Sequence, residues 1–244
     1  MRRLLLCAVA LLVLSGCRHE LKTALYEDDV MVPLTEAGTD SLYFAVSLEY
    51  VTGGVSPEAM ERINAVLVTL AFDQAGTELE TTAADYRDEL IDEYLNEYSQ
   101  EERQTGGRSW EEGIDGSFIG PAYKQWRNYL LDIYSKRGAG DEIFTSSRLV
   151  FDLKTGEQAT EDTFFREGVR ESVAEILRAE VREDLTYNQE LLQLINLDLV
   201  VPNGNFWVDA DGMGWVFQPY ELGPYVGTQM SAQASWEELK PYLK

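Results

Sequence analysis

The 244 residues contain two cysteines, Cys7 and Cys17, and a single histidine, His19. Beyond position 19 the chain has no thiol and no imidazole. That excludes Ser-His-Asp and Cys-His catalysis and leaves zinc without its usual ligands. Gly-x-Ser-x-Gly and Ser-x-x-Lys are absent. No Gly-rich loop ends in Gly-Lys-Ser/Thr, and Gly138-Ala139-Gly140 and Gly212-Met213-Gly214 lack the third glycine of a dinucleotide fingerprint. Basic residues are scarce: 20 Lys+Arg against 43 Asp+Glu give a net charge of −23. A surface of that sign excludes nucleic-acid binding and opposes docking onto anionic lipid through a charged face. The apolar run Leu4–Leu14 falls short of the ~20 residues that span a bilayer. Core-forming residues are not scarce: 45% are hydrophobic and 11% aromatic, which argues for a folded chain.

Met1-Arg2-Arg3 followed by Leu4–Leu14 has the form of a secretory signal. It ends in Leu14-Ser15-Gly16-Cys17, which resembles the lipobox of bacterial lipoproteins. Residues 1–16 are therefore expected to be removed and Cys17 to become the acylated N-terminus, with 17–40 as anchor and tether. Removal costs two arginines and no acid, making the mature chain two units more negative. No disulfide remains, so the fold rests on its core. Arg18 stands where an aspartate would favour retention at the inner membrane. The expected location is the bacterial envelope, at the outer membrane facing the periplasm.

Ser41–Val51 is rich in aromatic and β-branched residues and predicts a strand. Ser56-Pro57 then starts a helix over about 57–72. Tyr86, Leu90, Tyr94 and Tyr98 predict a second over about 83–103, with the tyrosines in the core. Residues 105–121 read as loop, and 126–134 fits helix or strand. A strand at 147–153 leads into the turn Lys154-Thr155-Gly156-Glu157. A helix is expected over about 161–183, and another from a Thr186/Gln189 capping box to about Asn196. Phe206-Trp207-Val208 and Trp215-Val216-Phe217 predict a hairpin, and Ser235 with Glu238 starts a last helix ending near Leu243. The mixture without βα alternation predicts an α+β fold: an antiparallel sheet packed with helices, in a small N-terminal and a larger C-terminal subdomain.

Between Glu78 and Glu102 there are ten acids and one base. A solvated helix face accounts for them. A docking face for a basic partner, through Asp85, Asp88, Glu89, Asp92 and Glu93, is the sharper reading. Asp209-Ala210-Asp211-Gly212 resembles half of a calcium loop, but Trp207 and Gln218 occupy its first and last ligand positions, which favours a plain turn. No metal or other cofactor is expected. With so many carboxylates a glycan-hydrolase pair is conceivable from any of them, so the composition does not select one.

The motifs of 134–243 resemble the PdaC/RsiV-like domain family of bacterial envelope proteins. Phe151-Asp152-Leu153-Lys154-Thr155-Gly156-Glu157 is similar to its FDLKTGK segment, and Tyr134–Gly140 to its Tyr-Ser-Gly-Gly-Ala-His-Gly-type loop. Asn205-Phe206 through Phe217 is similar to its hairpin, Pro219–Gly227 to its PYEIGPYAxG signature, and Trp236–Leu243 to its closing helix. Ser41–Ala71 resembles its companion domain. The resemblance implies a companion subdomain at 41–125 and the family domain at 126–244. The chain departs from the pattern at one loop: the family's histidine is missing between Ala139 and Gly140, and Lys136-Arg137 replace its paired glycines.

Members of that family include lysozyme-binding extracellular parts of anti-sigma factors. The domain also accompanies peptidoglycan deacetylases whose catalytic domain is separate. The resemblance therefore implies a non-enzymatic envelope binder, with a cationic lysozyme-type muramidase or peptidoglycan as partner. Its candidate contacts are Tyr134, Gly138, Ala139 and Asp141 in one loop, and Tyr220, Glu221 and Tyr225 in the other. The alternatives are a carboxylate-based hydrolase of cell-wall glycan and a structural subunit of a lipoprotein complex.

Overall fold

The computed structural model describes residues 20–34, 40–76, 78–99 and 107–244. The expected signal segment and the expected acylation at Cys17 fall outside the described residues. The elements run β1 (Lys22–Pro33), β2 (Ser41–Gly53), α1 (Pro57–Phe72), α2 (Leu79–Ser99), β3 (Trp110–Tyr123), β4 (Trp126–Arg137) and β5 (Ile143–Asp152). They continue as α3 (Glu161–Phe164), α4 (Arg170–Asp184), α5 (Gln189–Leu194), β6 (Phe206–Val208), β7 (Gly212–Phe217), β8 (Met230–Ser235) and α6 (Trp236–Leu239). The architecture is α+β, as expected.

The first sheet has the order β1-β2-β3-β4-β5. Its pairings are antiparallel except β2–β3, which is parallel because α1 and α2 form the crossover between those strands. Leu42, Phe44, Val46 and Leu48 of β2 point to one face, against Ile63, Leu67 and Val68 of α1 and Leu90, Tyr94 and Tyr98 of α2. The tyrosine stripe is core, as its spacing predicts. α1 starts as read: the Ser56 hydroxyl accepts from the Ala59 amide at 3.2 Å, and Pro57 fills the first turn. Among the described residues no helix is long and apolar enough to cross a membrane.

A second, three-stranded sheet of order β6-β7-β8 carries its own core, built on Phe206, Met213, Trp215 and Phe217 and closed by Val173, Leu177 and Val181 of α4. It covers one end of the outer face of the first sheet. β5 is the shared wall: Leu149 and Phe151 belong to the first core and Val150 to the second. The 206–217 hairpin is present, and the Ser235/Glu238 capping box starts α6.

Several expected elements differ. Residues 22–33, read as tether, form β1, whose charged segment Glu27-Asp28-Asp29 suits an exposed edge strand. Residues 110–121, read as loop, form most of β3; Gly116 marks a close approach, since a Cβ there would meet the Tyr129 hydroxyl at 2.3 Å. The helix expected over 161–183 is two, broken at Gly168, whose φ is 80°. Asn188, not Thr186, caps α5 by accepting from the Leu191 amide. β4 and β5, grouped by the sequence with the C-terminal part, complete the first sheet.

Candidate functional site: an acidic trough on the outer sheet face

The register places alternate residues of the first sheet on its outer face, in rows that run across the strands. One row is Asp29, Ala45, Gly113, Tyr134 and Phe144. The next is Glu27, Ser47, Asp115, Asp132 and Ser146. Small residues on β2 and β3 lower the middle of the surface while acids and rings rise around it. The result is an open trough of about 650 Å³, with Tyr43, Tyr134 and Phe144 along its rim. Phe144 is 49% exposed and Tyr43 37%, large values for rings with no partner beyond the sheet.

The electrostatics are one-sided. Glu27, Asp29, Asp115 and Asp132 make no ion pair among the described residues, although Asp28, between the first two, pairs with Arg87 at 2.7 Å. Asp115 and Asp132 stand directly opposite each other across β3 and β4. Like charges at such a pair are destabilising. One oxygen of Asp132, Oδ1, is buried without a hydrogen-bond partner. A buried, unpaired carboxylate oxygen costs free energy that an incoming donor recovers. No group of three or more potential ligands is placed to hold a metal ion among the described residues.

Of the sequence candidates, Tyr134 lies in the trough. Gly138 closes the β4–β5 turn with φ 59°, donating to the Ser109 carbonyl at 3.0 Å, and Ala139 and Asp141 are exposed at its tip. Tyr220 and Tyr225 sit in the turn after β7, 65% and 77% exposed. Glu221 in that turn is structural: its carboxylate accepts from Asn203 Nδ2 at 2.8 Å and from the Gln218 amide at 2.7 Å. None of these six lines the trough. The acids Asp85, Asp88, Glu89, Asp92 and Glu93 are exposed on α2, across the sheet from the trough. Three have local partners: Asp88 pairs with Arg87, Glu89 accepts from Gln74, and Glu93 pairs with Arg137 at 2.9 Å. Asp209 of the calcium-like segment is spent on its own turn, accepting from the Asp211 and Gly212 amides and from Trp207 Nε1.

Sequence reasoning missed Glu27, Asp29, Asp115 and Asp132. The signal that finds them is register, because the two rows exist only once β1 and β3 are recognised as strands.

A family model described as a protein of unknown function, DUF3298, matches residues 162–236, which hold most of the second core. No curated protein matches the sequence. Among solved structures, a DUF3298 family member from Bacteroides fragilis is similar over 92% of this chain and 94% of its own, with TM-score 0.81 and 17% identity. A DUF3298 family protein from Pseudomonas aeruginosa is similar over 94% of this chain and 97% of its own, with TM-score 0.70 and 11% identity. Both likenesses concern the fold, and they extend through both sheets rather than the matched segment alone.

Proposed function

We propose that this protein is a non-enzymatic binding protein of the bacterial cell envelope, held by acylated Cys17, that takes a cationic ligand in the trough. The observation that supports the reading is the opposed pair Asp115 and Asp132, which makes no ion pair among the described residues and has one buried oxygen without a donor. A guanidinium or ammonium from a partner supplies both the donor and the charge. The rim rings Tyr43 and Tyr134 offer cation–π faces to the same group. The net charge of −23 accelerates encounter with a basic protein. A cationic lysozyme-type muramidase is the first partner to test.

The test is binding of the chain from residue 20 to immobilised c-type lysozyme at low and near-physiological salt, beside an unrelated protein of similar positive charge. Specific binding that survives physiological salt and is lost in Asp115→Asn/Asp132→Asn supports the proposal. Equal binding to both basic proteins, lost with salt, reduces it to bulk charge. Release of reducing ends from purified murein by the protein would replace it with the carboxylate-hydrolase reading.

A further inference from the structure

A second cavity opens where the outer face of the first sheet meets the back of the second. It measures about 260 Å³. Ile119 and Arg148 form its floor, and Trp207, Val216, Met230 and Ser231 its walls. Trp207, Val216 and Ser231 follow from the register of the second sheet, whereas Met230 pairs with Phe217 and packs against the second core. Trp207 pairs with Gly214 and Val216 with Ser231, so these side chains share the face opposite the second core. A Cβ on Gly214 would lie 2.1 Å from the Trp207 ring, so the glycine lets the indole lie flat on the sheet.

Arg148 is the only charged residue in this lining. Its backbone amide donates to Asn205 Oδ1 at 2.6 Å, but its guanidinium has no hydrogen bond or ion pair among the described residues. Its Nε is buried and unpartnered. In a chain with more than twice as many acids as bases, an unpaired guanidinium against apolar walls stands out. Asp132 is its diagonal neighbour across β4 and β5, and the two do not pair.

We infer that this cavity binds the carboxylate of a small amphipathic monoacid, with the carboxylate on Arg148 and the apolar part against Trp207, Ile119 and Val216. A guanidinium donates two parallel bonds to a carboxylate. The volume lies just below the ~300–1,000 Å³ of pockets for drug-sized ligands, which fits a short acyl chain or a peptide C-terminus. The acidic chain repels multiply charged anions, and the apolar walls disfavour them further. The site has its own lining, adjoins the trough where Arg148 is diagonal to Asp132, and is opposite to it in sign.

The test uses hexanoate, neutral hexanol and N-acetyl-alanyl-alanine, with tryptophan fluorescence and calorimetry as readouts. Hexanoate is expected to bind saturably and hexanol not. Arg148→Gln should weaken hexanoate about tenfold or more, about 1.4 kcal/mol per tenfold. Ser231→Phe, which fills the cavity and leaves the guanidinium in place, should abolish binding as well. Asp132→Asn should strengthen hexanoate while weakening cations in the trough, and these opposite changes tell the two sites apart. Tighter hexanoate than dipeptide assigns an acyl chain as occupant; the reverse assigns a peptide terminus. Equal binding of hexanoate and hexanol, or none of either, overturns the inference. So does a double-mutant cycle showing that Arg148 and Asp132 pair in solution.

Discussion

Glu112 is a carboxylate inside the first core, 5% exposed, accepting from the Tyr86 hydroxyl. Burial pushes its pKa above the usual carboxylate range, and the tyrosine hydrogen bond offsets part of that. A group with a raised folded pKa favours the fold most when protonated. Its contribution is full below the unfolded value and declines as pH rises through the folded one. Glu112→Gln keeps an acceptor for Tyr86 and removes the charge. The substitution should leave stability unchanged near pH 4 and raise it by about 1 kcal/mol at pH 7, the scale of one buried polar mismatch. Urea unfolding at the two pH values checks this, and a loss at pH 7 would refute it. Asp115→Asn carries a related expectation in the trough. Relieving the like-charge pair with Asp132 should stabilise the free protein by about 0.2–1 kcal/mol while weakening cation binding. A variant that loses both would make Asp115 structural. Tyr134 was legible in the sequence as a candidate contact, whereas Asp115 was not. An aspartate in a glycine-rich segment reads as loop until its strand partner is known.

At the scale of elements, the two sheets are joined by amide side chains that imitate strand pairing. Asn128 of β4 donates to the Val208 carbonyl at 2.7 Å and accepts from the Val208 amide at 3.0 Å. Asn205 accepts from the Arg148 amide at 2.6 Å and donates to the Ser146 carbonyl at 3.0 Å. Gln218 bonds the Ser146 amide and carbonyl in the same way. The Asn205 and Gln218 contacts satisfy the open edge of β5, which would otherwise invite another strand. Asn128 is buried, so Asn128→Ala leaves two backbone groups of β6 dry and unpaired. The expected cost is about 2–4 kcal/mol, read as a lower urea midpoint with an unchanged slope. A change under about 0.5 kcal/mol, the range of ordinary surface substitutions, would mean water replaces the amide. The helices with sequence-local signals were legible: Ser56-Pro57 at α1, the tyrosine stripe of α2, Ser235 with Glu238 at α6. β1 and β3 were not: neither carries a sequence-local start signal, and the β2 partners that make them strands lie 8 to 31 positions away for β1 and 68 away for β3. The break before α4 was hidden for the same kind of reason, since Phe165 bridges to Leu243 at the far end of the chain.

For the molecule as a whole, the dominant fact is 43 acids against 20 bases on one compact body. The net-charge sign was readable from composition; where it concentrates was not, because α2 and the trough place acids on both sides of one sheet. Self-repulsion of that size opposes the folded state and relaxes in the expanded chain. Salt screens it: the Debye length falls from about 30 Å at about 0.01 M to about 3 Å at about 1 M. The few ion pairs lost to screening contribute little, since pairs such as Arg62–Glu157 are exposed. Stability should therefore rise with sodium chloride across that range, and the thermal midpoint should move up by several degrees. A basic ligand in the trough should act in the same direction at low salt, and its effect should shrink as salt rises. The two effects separate in Asp115→Asn/Asp132→Asn, which removes two of the 43 acids, keeps most of the bulk charge and loses the site. The salt response should survive in that variant and the ligand response should not. A thermal midpoint that is flat or falls with salt would mean that paired charges, rather than repulsion, govern the fold.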